Sequence, residues 1–171
     1  MASIYIYDSN QWGLFGLAYD RSFQVGSVAE MVKNVLSVTE NEKYRSHLVL
    51  AGGGGANYQS VGAGANPDPG GDRSLQLNEH GGLLGSAAYW IPRLAGQIYK
   101  LHLLGITNEA AESMPLVMRL GTILGVGVEI YYRNGLYLNR GERPVVVRRP
   151  TDSATLDREA LKKRLSEYTA K

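Results

Sequence analysis

An α/β fold, a three-layer sandwich around a mostly parallel sheet with an antiparallel hairpin in its C-terminal part, is what this sequence predicts. Three observations carry the prediction. Apolar segments of strand length alternate with segments of helical period, the order expected of βαβ units with right-handed crossovers. The central strand segments, such as His47-Leu48-Val49-Leu50-Ala51, are near-continuous apolar runs, as strands buried on both faces should be. Finally, Arg133-Asn134-Gly135-Leu136 places Asn-Gly between two short β-prone segments, which suits a type I′ hairpin turn.

Each element follows in order. Ser3 to Tyr7 reads as a strand in which Ile4 and Ile6 alternate with tyrosines, closed by Asp8-Ser9-Asn10. Gln11 to Gln24 mixes aromatics and glycines without a clear period, and Trp12, Phe15 and Tyr19 are expected to cover the edge of the core. Ser27-Val28-Ala29-Glu30 has capping-box spacing, so a helix should run to about Val38 with Val28, Met31, Val32, Val35 and Leu36 on one face. Tyr44 to Ala51 is a buried strand that runs into Gly52-Gly53-Gly54-Gly55. From there to Gly71 the residues are those of a long loop, with short ribbon segments at Tyr58 to Val61 and at Ser74 to Leu77. Leu83 to Ile98 reads as a helix that Pro92 kinks or divides. Tyr99 to Leu104 is the next strand. A helix then passes through Leu116, Leu120 and Leu124 and stops at Gly125; its start is at Asn108 or at Ser113. Val126 to Tyr132, the hairpin return at Tyr137-Leu138, and Pro144 to Val147 complete the strands. Residues 1–150 are thus expected to form one domain. Residues 151–171 add an amphipathic helix, with Leu156, Ala160, Leu161, Leu165 and Tyr168 as its stripe, packed on or appended to that domain.

Composition narrows the function classes. Hydrophobic residues are 44% and charged residues 20% of the 171, enough to build an ordinary buried core. The net charge of +2 is too small to argue for nucleic acid, which is not the expected partner. Arg140 to Lys171 holds nine Lys/Arg and five Asp/Glu, a balance of +4, which leaves −2 on the other 139 residues; a solvated basic end is the simpler reading of this asymmetry. There are no cysteines, so a thiol nucleophile, disulfides and thiolate metal sites are excluded. The first residues lack a basic region followed by a long apolar one, and no apolar run would span a bilayer. The expected location is cytoplasmic, or exported without a classical signal peptide, with no membrane partner.

In parallel sheets, ligands bind beyond the carboxyl ends of the strands. Two strands here end in turns of note, one at Gly52, Gly53, Gly54 and Gly55, the other at Gly105-Ile106-Thr107-Asn108 before a helix. If the strands are neighbours, the turns share one rim. The candidate ligand-binding set is therefore Gly52 to Gly55, Asn57, His80, Thr107, Asn108 and Glu109. Glycine lets backbone approach a ligand closely, and a helix start offers N–H groups to anions. Four consecutive glycines, however, match neither a Walker loop nor a G-x-G-x-x-G fingerprint. Catalytic groupings are thin. His47 and His102 lie in strand segments, where structural imidazoles are common. His80 could be combined with Asp72 or Glu79 and Ser86 into a triad, but no Gly-x-Ser-x-Gly elbow is present. Asp68, Asp72 and Glu79 sit among turn residues. Three scattered histidines give no helix-borne metal pair. No catalytic residue, metal site or cofactor is assigned, and the balance is against an enzyme. The tyrosines Tyr131, Tyr132 and Tyr137 cluster on the hairpin, where cross-strand packing explains them.

The layout from Val25 to Leu138 resembles caspase-like, clan CD peptidase folds, especially the bacterial caspase-like domains found at the front of large secreted proteins. The resemblance rests on Ser46-His47-Leu48-Val49-Leu50-Ala51-Gly52-Gly53 as the strand before the catalytic-histidine turn, and on Ser74-Leu75-Gln76-Leu77 followed by Leu83 to Ile98 as ribbon and helix. It rests also on Lys100-Leu101-His102-Leu103-Leu104-Gly105 as the strand before the catalytic cysteine, and on the helix ending Leu124-Gly125-Val126-Gly127-Val128. Where the family carries His-Gly, Gly52-Gly53 stand; where it carries cysteine, the turn is Gly105-Ile106-Thr107. The resemblance therefore implies a degenerate member that binds without cutting, a caspase-like or Rossmann-like domain whose partner is a protein engaged through the rim and the Gly-rich loop. Two other readings stay open: a phosphorylated or nucleotide ligand at the same rim, and a structural homo-oligomer paired through the Tyr-rich hairpin edge.

Overall fold

The computed structural model describes residues 2–8, 10–55, 57–62, 71–106, 110–132, 135–141 and 145–148. The expected C-terminal helix at 151–171 lies outside the described residues, as do Asn134 and Asp68. Among the described residues seven strands form the main sheet: β1 (Ser3–Tyr7), β2 (Arg21–Gln24), β3 (Ser46–Leu50), β6 (Ile98–Leu103), β7 (Glu129–Tyr132), β8 (Gly135–Leu138) and β9 (Val145–Arg148). Two more, β4 (Tyr58–Ser60) and β5 (Ser74–Gln76), pair antiparallel as a separate ribbon. The order across the main sheet is β2-β1-β3-β6-β7-β8-β9. Pairing is parallel from β2 through β7 and antiparallel at β7–β8 and β8–β9. The α/β sheet with a C-terminal antiparallel hairpin is thus as the sequence predicts.

Helix α1 (Val28–Thr39) begins where its capping residues place it. The Ser27 side chain accepts from the Glu30 N–H, and the Glu30 carboxylate reaches back to the Gly26 N–H rather than to that of Ser27. Val28, Met31, Val32 and Val35 are fully buried, the spacing of one helical face. They pack with Ile4, Ile6, Leu48, Leu50, Leu101 and Leu103 on one face of the sheet. Helix α3 (Ala110–Leu124) joins the same cluster through Leu116, Val117, Leu120 and Leu124. Pro115 stands inside α3 rather than in its first turn.

Several boundaries differ from expectation. The run Leu83 to Ile98 is not one helix. It holds a single turn, α2 (Ala87–Trp90), then a 3-10 turn at Ile91–Leu94, and Ile98 already belongs to β6. Pro92 removes a backbone donor at the junction, and Gly96, at φ 75°, turns the chain into the strand. The turn before β7 is longer than expected, because Gly125 and Gly127 both take positive φ before Glu129. The stretch with no clear period resolves into a 3-10 segment at Asn10–Ala18 followed by strand β2.

That 3-10 segment forms the third layer. Phe15, Ala18 and Tyr19 pack with Tyr5, Val49, Ala51 and Leu104 on the face opposite α1. Rings continue across this face: Tyr5 stacks on Tyr19 at 5.0 Å, His47 lies 4.6 Å from His102, and His102 lies 4.8 Å from Tyr131. Lys100 places its Nζ 4.8 Å above the Tyr131 ring. Burial, then the neighbouring His47, then Lys100 lower the His102 pKa from its ordinary 6.5 to about 2.

The direction of this shift sets a pH dependence. The unfolded chain protonates His102 near pH 6.5, while the folded chain refuses the proton until about pH 2. The contribution of His102 to stability is therefore full above pH 6.5 and falls as the pH drops below it, by about 1.4 kcal/mol per pH unit at most. A His102→Phe variant lacks this slope. Urea denaturation at pH 7.5 and pH 5 should show the parent losing about 2 kcal/mol more than the variant over that interval. Equal losses would mean that His102 takes up its proton in the folded state.

Candidate functional site

The two strand-end turns do share one rim. β3 and β6 are parallel neighbours in the register Leu50↔Leu103, and the Leu104 N–H donates to the Leu50 carbonyl at 3.1 Å. Beyond them the backbones touch. A Cβ on Gly105 would lie 2.2 Å from the Gly53 carbonyl oxygen and 2.5 Å from that of Gly52. A Cβ on Gly54 would lie 2.4 Å from the Gly105 oxygen, and one on Gly52 2.3 Å from the Ser60 oxygen. These glycines are required by close approach of main chain to main chain.

The glycine run is also not an open loop. The Ser60 N–H donates to the Gly53 oxygen and the Gly55 N–H to the Tyr58 oxygen, so Gly53–Gly55 folds back along β4. Through β4 it joins β5, and Gly62 packs against the turn before α1. The short ribbon that the sequence suggests is therefore real, and it lies over the end of β3.

Gln59, fully buried in that ribbon, links the two turns. Its Oε1 accepts from the Gly105 N–H at 2.8 Å. Its Nε2 faces the oxygens of Ser60, Gly52 and Gly53 at 2.9, 3.2 and 3.4 Å. The amide orientation follows from chemistry, since the Gly105 N–H can only donate and the three carbonyls can only accept. Asp8, at the end of β1, completes the rim: its Oδ2 lies 3.2 Å from the Ser60 hydroxyl, which is also 2.9 Å from the Gly62 oxygen. Sequence reasoning missed Gln59, Ser60 and Asp8. Asp8 reads in sequence as a strand terminator, and nothing near Gln59 marks it as buried.

The other predicted residues are placed less centrally. Asn57 is exposed at the tip of the ribbon turn. His80 is exposed, on a turn where Asn78 Oδ1 accepts from the His80 and Gly82 N–H groups, and its Nε2 lies 3.4 Å from Glu79 Oε1. That turn is held to α3 by Arg119, whose Nε donates to the Gly81 oxygen at 2.9 Å. Thr107, Asn108 and Glu109 lie outside the described residues. Gly53 alone of the four consecutive glycines has open space where a Cβ would stand.

Comparison of the chain with protein-family models, with curated proteins and with solved structures returns no match. Chemistry therefore has to be read from the rim itself. Its main-chain N–H groups at Gly55, Ser60 and Gly105 are already bonded within the fold. Past the end of β5, the 78–82 turn and α3 flank an open groove of about 600 Å³ lined by Leu77, Gly81, Met114, Pro115, Met118, Arg119 and Thr122. Among the described residues no helix is long and apolar enough to cross a membrane.

Proposed function

We propose that this chain is a non-catalytic binding domain that engages a protein partner along the strand-end rim and the groove between the 78–82 turn and α3. The observation that carries the reading is Gln59. Its amide occupies the position beyond the strand ends where a small ligand would sit, and it bonds the Gly105 N–H that an anion would need. An anion or nucleotide would have to displace a buried, satisfied amide. The groove, by contrast, offers leucine, proline and two methionines, the adaptable apolar lining that suits a side chain of a partner protein. Met118 is 41% exposed there, so a partner side chain can reach it. The absence of cysteine removes the thiol step that a caspase-like layout would otherwise imply. A degenerate, binding-only relative of that layout accommodates all of these features.

The test has two arms. Inorganic phosphate, pyrophosphate and ATP should leave the thermal melt of the chain unchanged, and Gly53→Asp should make no difference to that result. Peptides selected from a displayed library should bind the parent and lose about tenfold or more in affinity to Met118→Glu, which adds a charge to the groove. A phosphate-dependent rise in melting temperature that Gly53→Asp abolishes would instead assign the rim to a phosphorylated ligand.

A further inference from the structure

A second surface, on α1, α2 and the 3-10 turn that follows α2, has the makings of a recognition site. Tyr89 and Trp90 of α2 meet edge to face, with centroids 5.1 Å apart and planes at 90°. The Arg93 guanidinium carbon lies 4.5 Å from the Tyr89 ring and 5.0 Å from the Trp90 ring, and Arg93 also donates to the Tyr89 hydroxyl. From α1, Lys33 sets its Nζ 5.2 Å from the Trp90 ring. Beneath this cluster Ala87, Ile91 and Leu94 are buried in the core, and Pro92 restricts the turn between them. The cluster is thus held from below.

Its upper side is open. Tyr89 is 59% exposed, and Lys33 and Arg93 are exposed. Neither cation is within ion-pair distance of a carboxylate among the described residues; their close partners are the rings. A guanidinium held against aromatic faces is partly desolvated and fixed in direction, so it loses little further entropy on taking a carboxylate. Tyrosine, tryptophan and arginine together are also the residue types that concentrate binding energy at protein interfaces.

We infer that this Lys33–Tyr89–Trp90–Arg93 surface docks an acidic segment of a partner protein, with carboxylates on the two cations and an apolar side chain on the exposed Tyr89 ring. Two cations beside one aromatic pair suit a short run of carboxylates. Nucleic acid draws its affinity from many more phosphate contacts than this surface supplies.

The inference is tested by titrating the isotope-labelled full chain with a short peptide of alternating glutamate and leucine, with its glutamine-for-glutamate counterpart, and with a thymidine oligonucleotide. The expected result is a saturable shift of the Trp90 indole and Arg93 Nε resonances with the acidic peptide, weakened by added salt and absent with the glutamine peptide. Arg93→Ala and Lys33→Ala should each weaken binding about tenfold, with the backbone spectrum otherwise preserved. Lys33→Glu, on a separate helix, serves if Arg93→Ala perturbs the fold. No response to the acidic peptide, an equal response to the glutamine peptide, or tighter binding of the oligonucleotide would each overturn the inference.

Discussion

Gly105→Ala should lower folding stability by about 3 kcal/mol or more, read as the shift of the urea midpoint at constant slope. The reason is local and severe. The added methyl would sit 2.2 Å from the Gly53 oxygen and 2.5 Å from the Gly52 oxygen. Both are main-chain atoms in a hydrogen-bonded ribbon, so no side chain can rotate away to relieve the contact. The turns would have to part, and the Gly105 N–H would lose its 2.8 Å bond to Gln59. Gly53→Ala is the matched comparison. Nothing lies within 4 Å of its Cβ position, so that variant should stay within about 1 kcal/mol of the parent. Equal costs for the two would mean that the turns are not in contact.

Gln59→Leu should cost about 2–4 kcal/mol by the same measurement, although leucine matches glutamine in bulk. It leaves the Gly105 N–H and the Ser60 and Gly52 oxygens without their side-chain partner in a site shut off from water. Gln59→Glu separates the two ends of the amide. A carboxylate still accepts from Gly105, but it turns a second oxygen toward three carbonyls. That variant should be the less stable of the two at neutral pH and should recover on acidification, when the protonated acid can donate again. The double variant Gly105→Ala, Gln59→Leu should cost less than the sum of its parts, because each change breaks the same bond. Strict additivity would place the two residues in separate networks.

Much of this fold is legible in the sequence, because burial on both faces leaves a plain mark. The apolar run at Leu48–Leu50 and the one at Leu101–Leu104, interrupted by His102, announce parallel central strands, and glycine after each announces a shared rim. The face of α1 is legible because five apolar residues fall at helical spacing behind a capping serine. What escapes is whatever lacks a period. The four residues of β2 sit mostly exposed at the sheet edge, so nothing forces Arg21-Ser22-Phe23-Gln24 to alternate. The 3-10 segment before it packs Phe15 and Ala18 against the sheet without an apolar stripe. The run from Leu83 to Ile98 is apolar enough for a helix, yet its apolar residues serve a short helical turn and the start of a strand. The rim itself was half legible: glycine spacing points to close approach, but whether the visitor is a ligand or the chain's own backbone depends on Gln59. A single amide in a polar stretch carries no signal of that role.

The position of β1 between β2 and β3 has a bearing on how the molecule assembles. Everything needed to join these three strands and α1 is present once residue 50 has been synthesised, whereas the other neighbour of β3 begins only at Ile98. Until β6 pairs with it, the β3 edge, which includes His47 and Val49, would lack its hydrogen-bonding partner and offer a template for unwanted pairing between nascent chains. Closing it also requires a distant segment to return, which slows the step relative to local hairpin formation. Expression yield should therefore depend on how fast β6 follows β3 out of the ribosome, independently of the final stability of the folded domain.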